Sequence, residues 1–421
     1  MTSFDRIYTM KRIKNYFQNL STRRGYILFI IFLVVYLSIL YFTAGLHQPV
    51  WGDERHFVQT VHEFGQELSL AQLKSYNEMS TPLPFILYAL WGKISGYELQ
   101  QLRLFSLIIA FLTFLIFFRL YQDSSKHLGL ALLITLFLIF QPYMIGISVF
   151  VFTDMLPLLF LGLSVWAFHR DNPFLMGVAL GGALLCRQYY LFLPVAFAAY
   201  YSLRILMRQT GSGVKMLFAI ALSGIPLILL FILWGGFSPQ NDMRKLYLHE
   251  KLYFHTDYLI LYIALFLVYL FPLILYRWKK FYLKKNILLA ALVLSGSYFL
   301  FPVKASAYSM AIEIYTVGFF HKFVRLTIGS SLEHYVFYLS YLLSLPVLLT
   351  LLIDIYGKVK NRTPDGLLMV NLCIVFFLLI MPFSYLNWEK YFLPVIPLAI
   401  ISILNKDKFK FLDLSPKSAE N

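Results

Sequence analysis

Apolar residues run through this chain in long blocks instead of alternating with polar ones. A block of about 20 apolar residues crosses a bilayer as a helix, since the rise of 1.5 Å per residue then matches a hydrocarbon core of ~30 Å. The pattern predicts twelve such helices, over 26–45, 99–119, 128–147, 155–169, 174–186, 189–206, 215–234, 257–276, 287–303, 334–356, 366–386 and 390–404. A further apolar block, Phe85–Ile94, follows Thr81-Pro82-Leu83-Pro84 and is too short to cross. It predicts a helix that lies on the membrane surface or is partly re-entrant. Neither a repeat nor a soluble domain interrupts the pattern. One transmembrane domain over 1–421 is expected, with 1–24 as a cytoplasmic tail and 46–98 as the first outer loop.

Composition sharpens this to an all-α polytopic membrane protein. The 421 residues are 59% hydrophobic and 14% charged, where soluble domains are nearer half and a quarter. Aromatic residues reach 18%, and many sit at the ends of apolar blocks, as interfacial belts do. The net charge of +15 is therefore a matter of orientation and not of nucleic-acid binding. A basic N-terminus puts that end in the cytoplasm, and twelve crossings return the C-terminus there. About two thirds of the 36 lysines and arginines then fall on the cytoplasmic side, the bias that correct threading requires. Cys186 and Cys373 lie inside apolar blocks and read as buried thiols, not as a disulfide framework. Gly177 and Gly181 form a Gly-xxx-Gly pair suited to close helix packing.

Candidate chemistry concentrates at the outer ends of the blocks. Trp51-Gly52-Asp53-Glu54-Arg55-His56 follows the first helix and places two adjacent carboxylates beside the hydrocarbon, where charge is costly and asks for a reason. Three readings are open. Asp53 is the N-cap of a surface helix through Val58 and Phe64; or it is a general base that takes a proton from a hydroxyl; or it joins His56, His62 and Glu63 at a divalent metal. The last has no His-Glu-x-x-His spacing behind it.

The outer cations are the second group, because they sit against the orientation rule: Arg55, Lys74, Lys93, Arg103, Arg187, Arg244, Lys245, Lys251, Lys304, Lys322, Arg325 and Lys390. Cys186-Arg187-Gln188 interrupts two apolar blocks, Lys304 follows Phe301-Pro302, and Lys390 precedes Tyr391-Phe392. Each either snorkels to lipid headgroups or holds an anionic group at the membrane surface. Asp154, after Thr153, is either a turn or N-cap residue or a second carboxylate facing the same cavity. The polar loop 237–256, with Asp242, His249 and Glu250, reads as solvated surface.

An acidic pair soon after the first helix and the Pro-rich start of a helix in the same loop resemble the GT-C superfamily of polytopic glycosyltransferases. Gly52-Asp53-Glu54 with its His-containing helix, Arg187-Gln188, and Asn387-Trp388-Glu389-Lys390-Tyr391-Phe392-Leu393-Pro394 are similar to elements of the dolichyl-phosphate-glucose α-1,2-glucosyltransferase family. Lys390 stands where that family has Arg. More distantly, the pattern suits the protein mannosyl- and aminoarabinosyltransferases. The resemblance implies inverting transfer of a hexose from a polyprenyl- or dolichyl-phosphate carrier to a hydroxyl of a glycan, lipid or protein on the non-cytoplasmic face. It implies Asp53 as base with Glu54 assisting, and Arg187, Lys304 and Lys390 on the donor phosphate. His56, Thr81, Asp154 and Gln188 are expected to line the substrate site, with no required cofactor and a divalent metal left open. A bacterial inner membrane is the expected location, with the endoplasmic reticulum as the alternative. The rival functions are a transporter of lipid-linked glycans, which would carry charges in mid-helix and paired repeats, and a glycan polymerase or ligase, which would carry a large late outer loop.

Overall fold

The computed structural model of the protein describes residues 23–404, except 126, 210, 243 and 245–252. The basic tail before residue 23, Lys126, Lys245, His249, Glu250, Lys251 and the lysines after 404 lie outside the described residues. Among the described residues the elements are all helical, with no strand.

The chain opens with α1, Arg23–Gly45. Three short helices occupy the first connection: α2 (Glu54–Gln66), α3 (Leu70–Ser75) and α4 (Leu83–Ser95). The next, α5 (Leu99–Ser125), is 27 residues long. α6 (Leu128–Ile139) and α7 (Pro142–Val149) meet at a 74° bend, so the block expected as one helix over 128–147 is broken. Pro142 supplies the reason: it has no N–H to donate and drives Gln141 into extended backbone, ψ 134°. α8 (Met155–His169), α9 (Pro173–Cys186), α10 (Gln188–Leu206) and α11 (Gly213–Trp234) follow. Beyond residue 252 come α12 (Thr256–Tyr276), α13 (Trp278–Tyr282), α14 (Lys285–Leu300), α15 (Ala307–Ala311), α16 (Phe319–Ile328), α17 (Glu333–Lys360), α18 (Gly366–Phe383, its last turn 3-10) and α19 (Val395–Leu404).

Seven of the described helices (α1, α5, α10, α11, α12, α17 and α18) are long and apolar enough to cross a membrane. This is the make-up of a multi-pass membrane protein. α8, α9, α14 and α19 are apolar but only 10–17 residues long. Fifteen residues reach about 22 Å, short of the hydrocarbon core. Prolines set two of these limits: α14 stops before Pro302, and the 390–404 block begins as a 3-10 turn, Glu389–Phe392, and turns α-helical only after Pro394.

Exposure separates faces as a bilayer would. On α11, Val214, Phe218, Leu222, Ile225, Leu229 and Ile232 form one exposed apolar stripe, while Met216, Ile220, Leu227 and Trp234 are buried on the other side. Such a stripe is costly in water and is at home against lipid chains. α4, the helix expected on the membrane surface or partly re-entrant, packs one face against its neighbours. Pro84, Phe85, Tyr88, Ala89 and Gly92 are covered by α2, α5 and α9, and only residues such as Leu90 and Ile94 are bare.

The helices form a circuit. α5 touches α6 and α8; α9 lies between α8 and α11; α10 links α11 to α18; α19 packs on α18 and α12 and returns to α6. α17 covers α12 and α14 from outside this ring. Gly177 and Gly181 allow the α9–α11 contact: a Cβ on each would lie 3.3 Å and 3.5 Å from the carbonyl oxygens of Ala219 and Ser223. Cys186 and Cys373 are buried free thiols. The circuit brings the starts of α2, α8 and α10 and the turn before α19 to one end of the bundle.

Candidate functional site

Gly52 turns the chain into α2 with a left-handed φ of 57°, a conformation that a side chain would strain. The next two residues then diverge. Glu54 points inward and is fully buried against Arg103, on the first turn of α5. Its Oε1 accepts from Arg103 Nε at 2.9 Å and from the Val151 amide at 2.9 Å. Its Oε2 accepts from Arg103 Nη2 at 2.6 Å and from the Trp51 amide at 3.1 Å. The remaining Arg103 donors reach the carbonyls of Gly45, Gln48 and Pro49 at 2.8–3.0 Å. All five guanidinium donors and both carboxylate oxygens are thereby spent. Glu54 fixes the loop and leaves no lone pair facing outward, so its contribution to the site is to position Asp53.

Asp53 occupies the N-cap of α2 but makes no capping bond with its side chain. It turns to charged partners instead. Lys390 Nζ donates to Asp53 Oδ2 at 2.7 Å, across 337 residues of sequence. His56 Nε2 lies 3.8 Å from Oδ1, and His56 Nδ1 donates to Glu78 Oε1 at 2.6 Å. Lys390 also stands over the rings of Trp388 (5.1 Å) and Phe152 (5.9 Å). Burial alone would raise the Asp53 carboxyl, but Lys390 and His56 outweigh it and hold it well below the usual range. Burial would lower His56; its hydrogen bonds and charges from Asp53 and Glu78 prevail and lift it to about 9. The imidazole therefore carries a proton at neutral pH, bridged between two carboxylates. Burial pushes Glu78 upward, against the opposing pull of His56 and Arg187.

The second half of the site lies at the break between α9 and α10. Arg187 Nη2 is 3.0 Å from Asp154 Oδ1. The approach is off the line of a hydrogen bond: both Asp154 oxygens and Nε and Nη2 of Arg187 are buried without a hydrogen-bond partner among the described residues. Buried charged groups normally spend their hydrogen bonds, so this pair stands out. Asp154, like Asp53, sits at a helix N-cap, that of α8, without capping it. Tyr189, Tyr385 and Tyr391 lie within electrostatic reach of Arg187, and Tyr391 within reach of Asp53 as well. Glu78 feels both Asp53 and Arg187. Asp53, His56, Glu78, Asp154, Arg187 and Lys390 thus form one charged cluster.

Thr81 and Gln188 hold this cluster together from outside. The buried Thr81 hydroxyl donates to the Leu184 carbonyl at 3.0 Å, and Gln188 Nε2 donates to the carbonyls of Met79 (2.6 Å) and Phe237 (3.2 Å). Both tie the 76–81 loop, and Glu78 with it, to the α9–α10 break. Lys304 is not brought into the cluster. Its side chain is exposed, Asp257 feels its charge, and its carbonyl accepts from Asn387 at 2.6 Å. The other outer cations divide cleanly. Arg244 donates to the carbonyls of Trp234 and Gly235 at the C-terminus of α11, and Arg325 pairs with Glu333 at 2.6 Å. Arg55, Lys74, Lys93 and Lys322 are exposed. Among the described residues no three His, Cys, Asp or Glu side chains are arranged to hold a metal ion.

Sequence reasoning missed Glu78, which sits in an aperiodic loop with no signal beyond its charge. It also missed Glu389, which is buried and accepts from Tyr269 at 2.9 Å and from the amides of Phe320 and His321 at 2.9 and 2.8 Å. These bonds fasten the turn that carries Lys390 to the first turn of α16. A small crevice lined by Phe266, Lys280, Leu351, Ile374 and Ser402, among others, shares no residue with the cluster. Comparison with known proteins finds no family model, no curated protein and no solved structure that matches the chain.

Proposed function

We propose that the protein is a membrane-embedded glycosyltransferase of the GT-C type that moves a hexose from a polyprenyl- or dolichyl-phosphate carrier to an acceptor hydroxyl. The observation that carries the reading is the meeting of Asp53, Lys390 and Arg187, drawn from three distant parts of the chain, at one end of a bundle of apolar helices. A partly exposed carboxylate paired with Lys390, with Arg187 elsewhere in the same cluster, suits a reaction that takes a proton on one side and releases a phosphate on the other. Asp53 takes the acceptor O–H proton. The acceptor oxygen attacks the anomeric carbon with inversion, and the bond from that carbon to the phosphate oxygen breaks. The electron pair stays on the phosphate, held by Arg187 and Lys390. Arg187 supports this role because its unspent buried donors suit an anion. Glu54 positions Asp53, and His56 and Asp154 line the site.

In this reading α8, α9, α14, α19 and the bent α6–α7 pair complete twelve crossings, and the cluster faces the non-cytoplasmic side of a bacterial inner membrane. A donor dissolved in lipid explains why the site lies at a helix end. The test is sugar transfer from a synthetic polyprenyl-phosphate hexose by protein in nanodiscs. Asp53→Asn is expected to lower turnover by at least about a hundredfold while the protein stays monodisperse. Unchanged turnover in folded Asp53→Asn removes Asp53 as the base.

A further inference from the structure

We propose that Lys390 guards Asp53: it is bound to the carboxylate in the resting site and is drawn away by the phosphate of the lipid donor. The inference rests on the function proposed above and adds an order to it, in which the donor arms the base.

The geometry offers one cation to two anions. Among the described residues Lys390 Nζ makes a single hydrogen bond, to Asp53 Oδ2, although an ammonium has three donors. Its other directions face the rings of Trp388 and Phe152, contacts that hold a cation loosely and without direction. The lysine side chain is 12% exposed and Asp53 34% exposed, so the bond lies at the open edge of the cluster. Arg187 is covered to the same degree, 12% exposed, but its partner Asp154, at the start of α8, is only 3% exposed, so this pair lies deeper than the Lys390–Asp53 pair. A phosphate seated on Arg187 therefore has a deeper-set cation on one side and a mobile one on the other. A four-carbon stem lets the ammonium move between acceptors.

The resting bond also disables the base. A carboxylate holding an ammonium at 2.7 Å accepts a proton poorly. If Lys390 stayed there, Asp53 could not match the proton affinity that general base catalysis requires. Transfer of the ammonium to the phosphate frees Oδ2, while His56 remains on the side of Oδ1. The base is then competent only when donor is bound.

The test is a binding cycle that needs no turnover. Farnesyl phosphate, which carries the phosphate and an isoprenoid tail but no sugar, is titrated into the full-length protein in nanodiscs. If Asp53 competes for Lys390, Asp53→Asn binds it more tightly, by about fivefold, the equivalent of one partly exposed ion pair. Lys390→Met binds it more weakly, and adding Asp53→Asn to Lys390→Met restores nothing. Asp53→Ala replaces Asp53→Asn in the cycle if the latter is not monodisperse. Two results overturn the guard: no tightening on removal of the Asp53 charge, or tightening that persists undiminished without Lys390, which would be plain charge repulsion. If wild type and every folded variant fail to bind farnesyl phosphate, the lipid-phosphate reading falls, and the guard with it.

Discussion

Replacing Glu54 by Gln tests whether that residue builds the site or works in it. The change keeps shape and removes one charge. Each Glu54 oxygen accepts from two N–H groups, Arg103 Nε with the Val151 amide and Arg103 Nη2 with the Trp51 amide. A glutamine must present its NH2 group to one of these pairs. Two hydrogen bonds become donor–donor contacts, and Arg103, 1% exposed, keeps its charge with only carbonyls around it. Removing one partner of a buried pair costs about 3–5 kcal/mol, whereas an exposed pair would cost about 0–1 kcal/mol. Arg103→Lys should cost nearly as much, since three donors cannot replace five in a planar fork. The assay is reversible unfolding in mixed micelles, read by tryptophan fluorescence, with transfer activity measured on the same samples. Activity should fall in step with stability and recover where folded protein recovers. A Glu54→Gln protein within about 1 kcal/mol of wild type, yet inactive, would refute the positioning role and return Glu54 to the chemistry.

Three further outcomes are expected. His56 has a folded-state value of about 9, above the free value of about 6.5, so its proton stabilises the fold; that contribution is complete below pH ~6.5 and is lost as pH rises through 9. The melting temperature of the wild type should decline across that window more steeply than that of His56→Gln, as a thermal-shift series in buffered nanodiscs would show. Glu78→Gln removes one of the two carboxylates on the imidazole and should bring this decline to lower pH in the same series. Gly177→Val drives side-chain atoms at the Ala219 carbonyl, which even a bare Cβ at that position would approach to 3.3 Å, and should destabilise by about 1–3 kcal/mol in micelle unfolding.

The helices are legible in the chain because lipid accepts only long apolar runs with satisfied backbones. Their ends are less so. Hydrophobicity stops the α5 block at 119, yet the helix continues to Ser125, where Gln122, Ser124 and Ser125 are buried by tertiary packing. The bend at Pro142 is written in the sequence, but hydrophobicity alone runs straight through it. The site is half visible. Asp53, Arg187 and Lys390 draw notice because charge beside hydrocarbon needs a reason. The pairing is not visible: Asp53 and Glu54 are chemically alike, and only the position of Arg103 decides which of them is consumed. Arg103 is one of a dozen cations at odds with the orientation rule, and nothing local separates it from Lys93, which is exposed. Glu78 can be found only by folding, since what makes it part of the site is the His56 imidazole 22 residues upstream.

The contact between residues 53 and 390 also sets a timetable. At about 5–20 residues per second, the ribosome needs roughly 20–70 s to reach the lysine after it has made the aspartate. The Glu54–Arg103 lock spans only 49 positions and can close early in that interval, so the nascent loop is stiffened long before its cation exists. A chain cut short just before residue 390 would carry most of its helices and still lack the partner of Asp53. The pairing of Asp53 is therefore among the last contacts the chain can make, closed only once the segment that leads into α19 exists.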